Sequence, residues 1–218
     1  MVSLKRVEDI CVLDFGDDEN RLSPQWLDAI DEALDAVAAE AAPLVTVGSG
    51  RFYSNGLDLE WLGANPGEME PYVARVHGLF ARFLTLGVPT VAAINGHAFG
   101  AGAMIAMAHD WRVMRSDRGY FCFPEVDIHI PFTAGMAALI QAKLTPRAAV
   151  DAMTTGRRFS GPDALGSGLV DAVANEDELI DAAKGYVADL VGKDAKTLGA
   201  IKSVMYADVV EALGATSA

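Results

Sequence analysis

Two glycine-bearing segments and one glutamate supply the residue types from which a reactive site could be built. The first segment is Gly48-Ser-Gly-Arg-Phe-Tyr-Ser-Asn-Gly56 and the second is Asn95-Gly-His-Ala-Phe-Gly-Ala-Gly102, while Glu125 follows in a Pro-Glu-Val run. A strand, a glycine turn and a helix in succession can cradle a phosphate, because unpaired N–H groups at a helix N-terminus point at the ligand. The nucleotide motifs do not fit, however. No Lys-Ser/Thr pair closes the second segment, and glycines at 96, 100 and 102 do not give the G-x-G-x-x-G spacing. The same geometry serves another purpose: backbone N–H groups at the helix start can hold an oxyanion, with glycines admitting the ligand closely. A second donor must then come from elsewhere in the chain.

These residues need a scaffold, and the hydrophobic pattern predicts one of the α/β class. Strands are expected at Ile10–Phe15, Leu44–Val47, Thr90–Ile94, Trp111–Arg115, Gly119–Phe123 and Leu169–Val173. Ser23-Pro24 starts an amphipathic helix whose apolar face is Leu27, Ile30, Leu34 and Val37. Further helices are expected over 69–86, from the second glycine turn to about His109, over 134–143 and 146–154, just after Ser160-Gly-Pro, and twice towards the C-terminus. The helix after Gly102 is apolar on nearly all sides and so should be buried. Glu125 is expected at a strand end, where alternation would turn Asp127 to the opposite face.

With 218 residues, half of them apolar, the chain is long enough for one substantial core, and a single domain over 1–218 is expected. A net charge of −13 argues against nucleic acid as a partner, since backbone binders cluster Lys and Arg on one face. An anionic ligand would need a local group of cations, which the pattern does not locate. Cys11 and Cys122 read as two buried thiols. The absence of an apolar leader or of a run of about 18 apolar residues predicts no membrane insertion and a cytoplasmic location. His97 has no companion ligands that would suggest a metal and reads as packed or hydrogen-bonded, His109-Asp110 is expected to complement the helix C-terminal dipole or cap neighbouring chain, and Asp151 reads as a solvated helix residue.

GSGRFYSNGLDL at 48–59, PTVAAINGHAFGAGAMIAMAHD at 89–110, FCFPEVDIHIPF at 121–132 and TTGRRFSGPDALGSGLVD at 154–171 resemble the crotonase (enoyl-CoA hydratase/isomerase) family. The resemblance implies a spiral of ββα units over about 1–173 followed by a short helical part over about 175–218. It implies backbone donors to a thioester oxygen at Asn55 and Ala101, and a bent coenzyme A along 53–58. Residues Tyr53, Ser54, Gly56, Leu57, Asp58, Gly100, Met104, Pro124 and Phe132 are then expected against the ligand, with Trp61 and Met136 as further candidates for an acyl tunnel. No cofactor or metal is implied beyond the coenzyme A of the substrate.

Hydratases of the family carry two glutamates, and the first of these positions is Met104 here. Met can neither accept nor donate a proton, so a single carboxylate remains, at Glu125. The pattern is similar to enoyl-CoA isomerases, particularly plant peroxisomal ones, in which one carboxylate moves a proton while the two amides hold an enolate. Another acyl-CoA lyase or hydrolase reaction, or a catalytically silent acyl-CoA-binding subunit, stays open beside it. The resemblance also implies a homotrimer or a dimer of trimers.

Overall fold

The computed structural model describes residues 1–214. Short, wholly apolar runs leave no face to solvate, so they belong in a parallel sheet covered on both sides. Leu44–Val47 and Thr90–Ile94 become β3 and β5 at the centre of such a sheet. Its other strands are β1 (Ser3–Val7), β2 (Ile10–Asp14), β7 (Trp111–Arg115) and β9 (Ala172–Ala174), in the order β1-β2-β3-β5-β7-β9. Only β1 and β2 pair antiparallel; the rest run parallel, with Val45 opposite Val91 and Ala93 opposite Val113. One face packs Val45, Val91 and Val113 against Leu179 and Ala183 of α9 (Leu179–Gly185). The other face joins the main core with α1 (Pro24–Glu40), α3 (Met69–Thr85) and α4 (Ala101–Ala108).

A second sheet consists of three very short parallel strands, β4 (Phe52–Ser54), β6 (His97–Phe99) and β8 (Phe121–Cys122), in that order. Each follows a strand of the large sheet and precedes a helix: α2 (Leu59–Ala64), α4, and the single turn α5 (Glu125–Ile128). The ββα order therefore recurs three times. Register pairs Ser54 with Ala98 and Phe99 with Cys122, so the chain leaves all three strands side by side at their carboxyl ends. That is where α/β sheets habitually place ligands.

The remaining helices are α6 (Ala134–Lys143), α7 (Pro146–Thr154), α8 (Gly161–Gly166), α10 (Ala195–Met205) and α11 (Ala207–Gly214). Ser23 and Thr145 cap α1 and α7 as expected, accepting from the N–H groups of Trp26 and Ala148. The α11 helix lies on α6 and α3: Gly135 has no Cβ because Leu213 occupies that space, 2.7 Å from where one would stand. His77 of α3 ties the same helix end to α6, with Nδ1 on the Leu213 carbonyl and Nε2 on the Thr133 hydroxyl, each at 2.9 Å.

Several expectations change. β1, β4 and β6 were not anticipated; the three-residue β4 and β6 show no alternation to detect and lie inside the glycine segments. The strand expected over 169–173 forms at Ala172–Ala174, and three helices rather than two follow it. Glu125 is not at a strand end but opens α5, because Pro124 has no N–H for the ladder and turns the chain at φ −84°, ψ 8°. The alternation argument for Asp127 falls with it; its carboxylate lies beside Gly156, occupying the space a Cβ there would need. Both cysteines are buried and free, and no helix among the described residues is long and apolar enough to cross a membrane.

Candidate active site

Gly100 makes the turn from β6 into α4 at φ 51°, ψ −122°, a conformation that a side chain would strain. Its own N–H continues the small sheet to the Cys122 carbonyl at 3.0 Å. The next N–H, that of Ala101, opens a buried helix and has no acceptor among the described residues. The loop after β4 lies directly on this helix start: a Cβ on Gly56 would stand 2.7 Å from the Phe99 carbonyl and 3.0 Å from the Ala101 nitrogen. One on Gly102 would meet the Ser54 carbonyl at 2.3 Å. Glycine at 56 and 102 thus brings two chain segments to backbone contact.

The second donor is not the one expected. The Asn55 N–H already donates to the Glu19 carbonyl at 2.9 Å, and the Gly56 N–H donates to the Ser54 hydroxyl at 3.2 Å. The N–H of Leu57 has no acceptor among the described residues, and Leu57 lines the cavity. The assignment therefore moves from Asn55 to Leu57, because an amide committed to a carbonyl cannot also hold an oxyanion without breaking that bond.

Glu125 closes the third side. It lines a cavity of about 380 Å³ shared with Asn55, Leu57, Gly100, Ala101, Met104 and Pro124. Its Oε1 is 3.5 Å from where a Cβ on Gly100 would stand, next to the Ala101 amide. The side chain is 8% exposed and Oε2 has no hydrogen-bond partner. Burial raises its pKa to about 7, its own backbone amide opposing the rise. Among the described residues, Glu125 is the one carboxylate lining the cavity; Met104, 1% exposed, puts a thioether one helical turn beyond Ala101. The cavity brings together one proton acceptor poised near neutrality and two residues whose backbone N–H groups are unengaged.

The sequence profile of the enoyl-CoA hydratase/isomerase family matches residues 5–218. The chain belongs to that family. It is 32% identical to enoyl-CoA delta isomerase 1, peroxisomal, of Arabidopsis thaliana, over 96% of this chain and 91% of that protein. Among solved structures it is similar to the apo form of an enoyl-CoA isomerase of Mycobacterium tuberculosis, with 27% identity, a TM-score of 0.87, and coverage of 97% of this chain and 93% of that one. An enoyl-CoA hydratase of Mycobacterium marinum matches equally, at 27% identity and a TM-score of 0.87 over 99% and 95% of the two chains. Likeness of fold alone does not choose between the two reactions, so the choice falls to the residues of the cavity.

Not every residue expected at this family member's site lines the cavity. Tyr53 is wholly buried, its hydroxyl 2.7 Å from that of Thr46, and Ser54 is buried beneath the loop, donating to the Asn20 carbonyl. Asp58 caps α2 by accepting from the Trp61 N–H. Phe132 stacks edge-on against Phe123, and Trp61 packs near Tyr72. None of the five is part of the lining, whereas Met136 is.

A local group of cations lies around His97, and one of them, Arg158, reaches the cavity. His97 sits among the rings of Phe52, Phe99 and Tyr120, and burial, aided by Arg51, Arg118 and Arg158, lowers its pKa. None of these three arginines has an ion-pair partner among the described residues, and Arg158 lines the cavity. Arg51 lies over Phe52 and Arg158 over Phe99. Sequence could not place Arg158 here, since a bridge between Phe121 and Phe159 brings its segment to β8. His109 is a core residue, its Nδ1 2.8 Å from the Ile105 carbonyl and Nε2 2.9 Å from Thr46. Asp151 pairs with Arg147 on the surface of α7, and no group of three potential metal ligands occurs among the described residues.

Proposed function

We propose that the protein is an enoyl-CoA isomerase that moves a double bond from the 3,4 to the 2,3 position, with Glu125 as the proton carrier. The carboxylate takes a proton from C2, the carbonyl oxygen becomes an enolate held by the Ala101 and Leu57 amides, and the carboxylic acid returns the proton at C4. One proton leaves and one returns, so the step as written consumes no further reactant. The observation that carries this reading is a single buried, unpartnered carboxylate facing a cavity with two unengaged backbone donors. A pKa of about 7 suits a group that must both accept and release a proton. Isomerases among the relatives support the reaction, and Met104 stands against a two-carboxylate hydration.

Arg51, Arg118 and Arg158 support a phosphate-bearing carrier at the cavity edge of an otherwise acidic chain. Assembly as a trimer is part of the proposal, and sedimentation of the purified protein checks it. The deciding experiment is conversion of a 3-enoyl-CoA, followed by absorbance of the conjugated product, in the wild type and Glu125→Gln. Loss of conversion is expected in the variant. Undiminished turnover, or a 3-hydroxyacyl product from the wild type given a 2-enoyl-CoA, would overturn the reading.

A further inference from the structure

The cavity lining divides by exposure. Leu62, Met104 and Met136 are 4%, 1% and 6% exposed, and they enclose an inner end. Leu59, Met69, Ile128 and Ile130 line the same cavity yet are 45%, 49%, 45% and 38% exposed. Single exposed apolar side chains are ordinary on any protein, but a group of four on one cavity marks a surface that something apolar covers. The four come from separate places: the starts of α2 and α3, the end of α5 and the turn after it. That turn is fixed by His129 at φ 59° and by an Ile130 N–H donating to the Glu125 carbonyl at 3.1 Å, so the backbone that carries Glu125 also carries the outer apolar side chains.

We infer that the acyl tail of the substrate leaves the inner end across Leu59, Met69, Ile128 and Ile130, and that these residues give the enzyme a preference for long-chain thioesters. The inference rests on the reading of the cavity as an enoyl-CoA site. A tail is the occupant that fits, because this surface is continuous with the chamber in which the thioester reacts, and the lining's cations, Arg21 and Arg158, are not among the four. A closed apolar pocket would set a maximum length. An open apolar groove instead rewards each added carbon that it covers.

The test is kcat/KM for 3-enoyl-CoAs from six to sixteen carbons, together with binding of saturated acyl-CoAs of the same lengths by calorimetry. Specificity and affinity are expected to rise about twofold for each methylene that reaches the half-covered groove. In Met69→Glu and Ile130→Asp the ratio of long-chain to short-chain kcat/KM is expected to fall at least tenfold. Flat binding across lengths, or an unchanged ratio in both variants, overturns the inference. Length-graded binding without turnover removes the isomerase reading and leaves the groove standing. Protection of Leu59, Met69 and Ile128–Ile130 from hydrogen exchange that grows with protein concentration in the ligand-free protein would assign the patch to a second copy and overturn the inference as well.

Discussion

Buried charge occurs at both ends of this molecule, and the two ends handle it in opposite ways. Behind the large sheet, Lys202 is 4% exposed and bonds both the Val88 carbonyl and Asp110, whose carboxylate also accepts from the Thr90 N–H and hydroxyl. Arg112 pairs with Asp171 and donates to the Leu169 carbonyl, and Lys143 donates to the His109 carbonyl and the Tyr206 hydroxyl. Each of these three cations and two anions has been given partners. At the cavity, Glu125 is buried to a similar degree and its Oε2 has none. A buried charge with every bond satisfied holds elements together, whereas one left unpartnered is strained towards its neutral form and reacts.

The sharpest break in that comparison is Glu125→Gln. Isomerase activity should fall about 10²–10⁴-fold, while stability at pH 8, measured by urea unfolding, should rise by on the order of 1–3 kcal/mol as the buried ionisation is removed. At the opposite end, Lys202→Met should destabilise by about 3–5 kcal/mol because it leaves Asp110 buried without its cation. The pair Asp110→Leu and Lys202→Met together should recover much of that loss, as a thermal melt would reveal. A double variant no better than the single one would mean that Asp110 matters through Thr90 instead.

Gly100→Ala lies next in size. A side chain at φ 51° adds about 1–3 kcal/mol of strain and reaches towards Oε1 of Glu125, so both melting temperature and activity should drop.

The pH dependence sets the two regions apart by sign. Glu125 has its folded pKa raised from 4.5 to about 7, so the folded state holds more protons between those values and stability falls as pH rises through them. Lys143 has its folded pKa lowered from 10.5 to about 8, chiefly by burial, so stability rises with pH between 8 and 10.5. Glu125→Gln should flatten the first slope and Lys143→Met the second. The proposed mechanism needs the Glu125 carboxylate, so kcat/KM should rise with pH through about 7. The smallest effect expected is in Met104→Glu, where a second carboxylate should move that midpoint up by about one unit through like-charge repulsion.

The large sheet and most helices were legible because their patterns are local. Leu27, Ile30, Leu34 and Val37 mark α1 by spacing alone, and all four are buried. The site was legible only where a residue's type fixes its chemistry, as with Glu125 and the absent carboxylate at 104. Whether an amide is unengaged depends on a carbonyl far away in sequence: Glu19 takes the Asn55 N–H, and nothing near position 55 announces it. The same holds for Arg158 and Asp127, whose neighbours are set by how β8 meets the chain near Gly156. Of the short strands of the small sheet, β4 and β6 escaped notice because they pass through glycine segments that read as turns.

The backbone cradle inverts the usual map of mutational tolerance. As the proposed donors, Leu57 and Ala101 would act through main-chain N–H groups that almost any residue supplies, so side-chain changes there leave the donors in place. The glycines at 56 and 102 contribute no functional atom, yet a single added methyl carbon would collide with the Phe99 or Ser54 carbonyl. The positions proposed to hold the enolate can thus vary while Gly56 and Gly102 cannot. A screen of random variants would therefore find inactive clones at Gly56 and Gly102 as well as at Glu125.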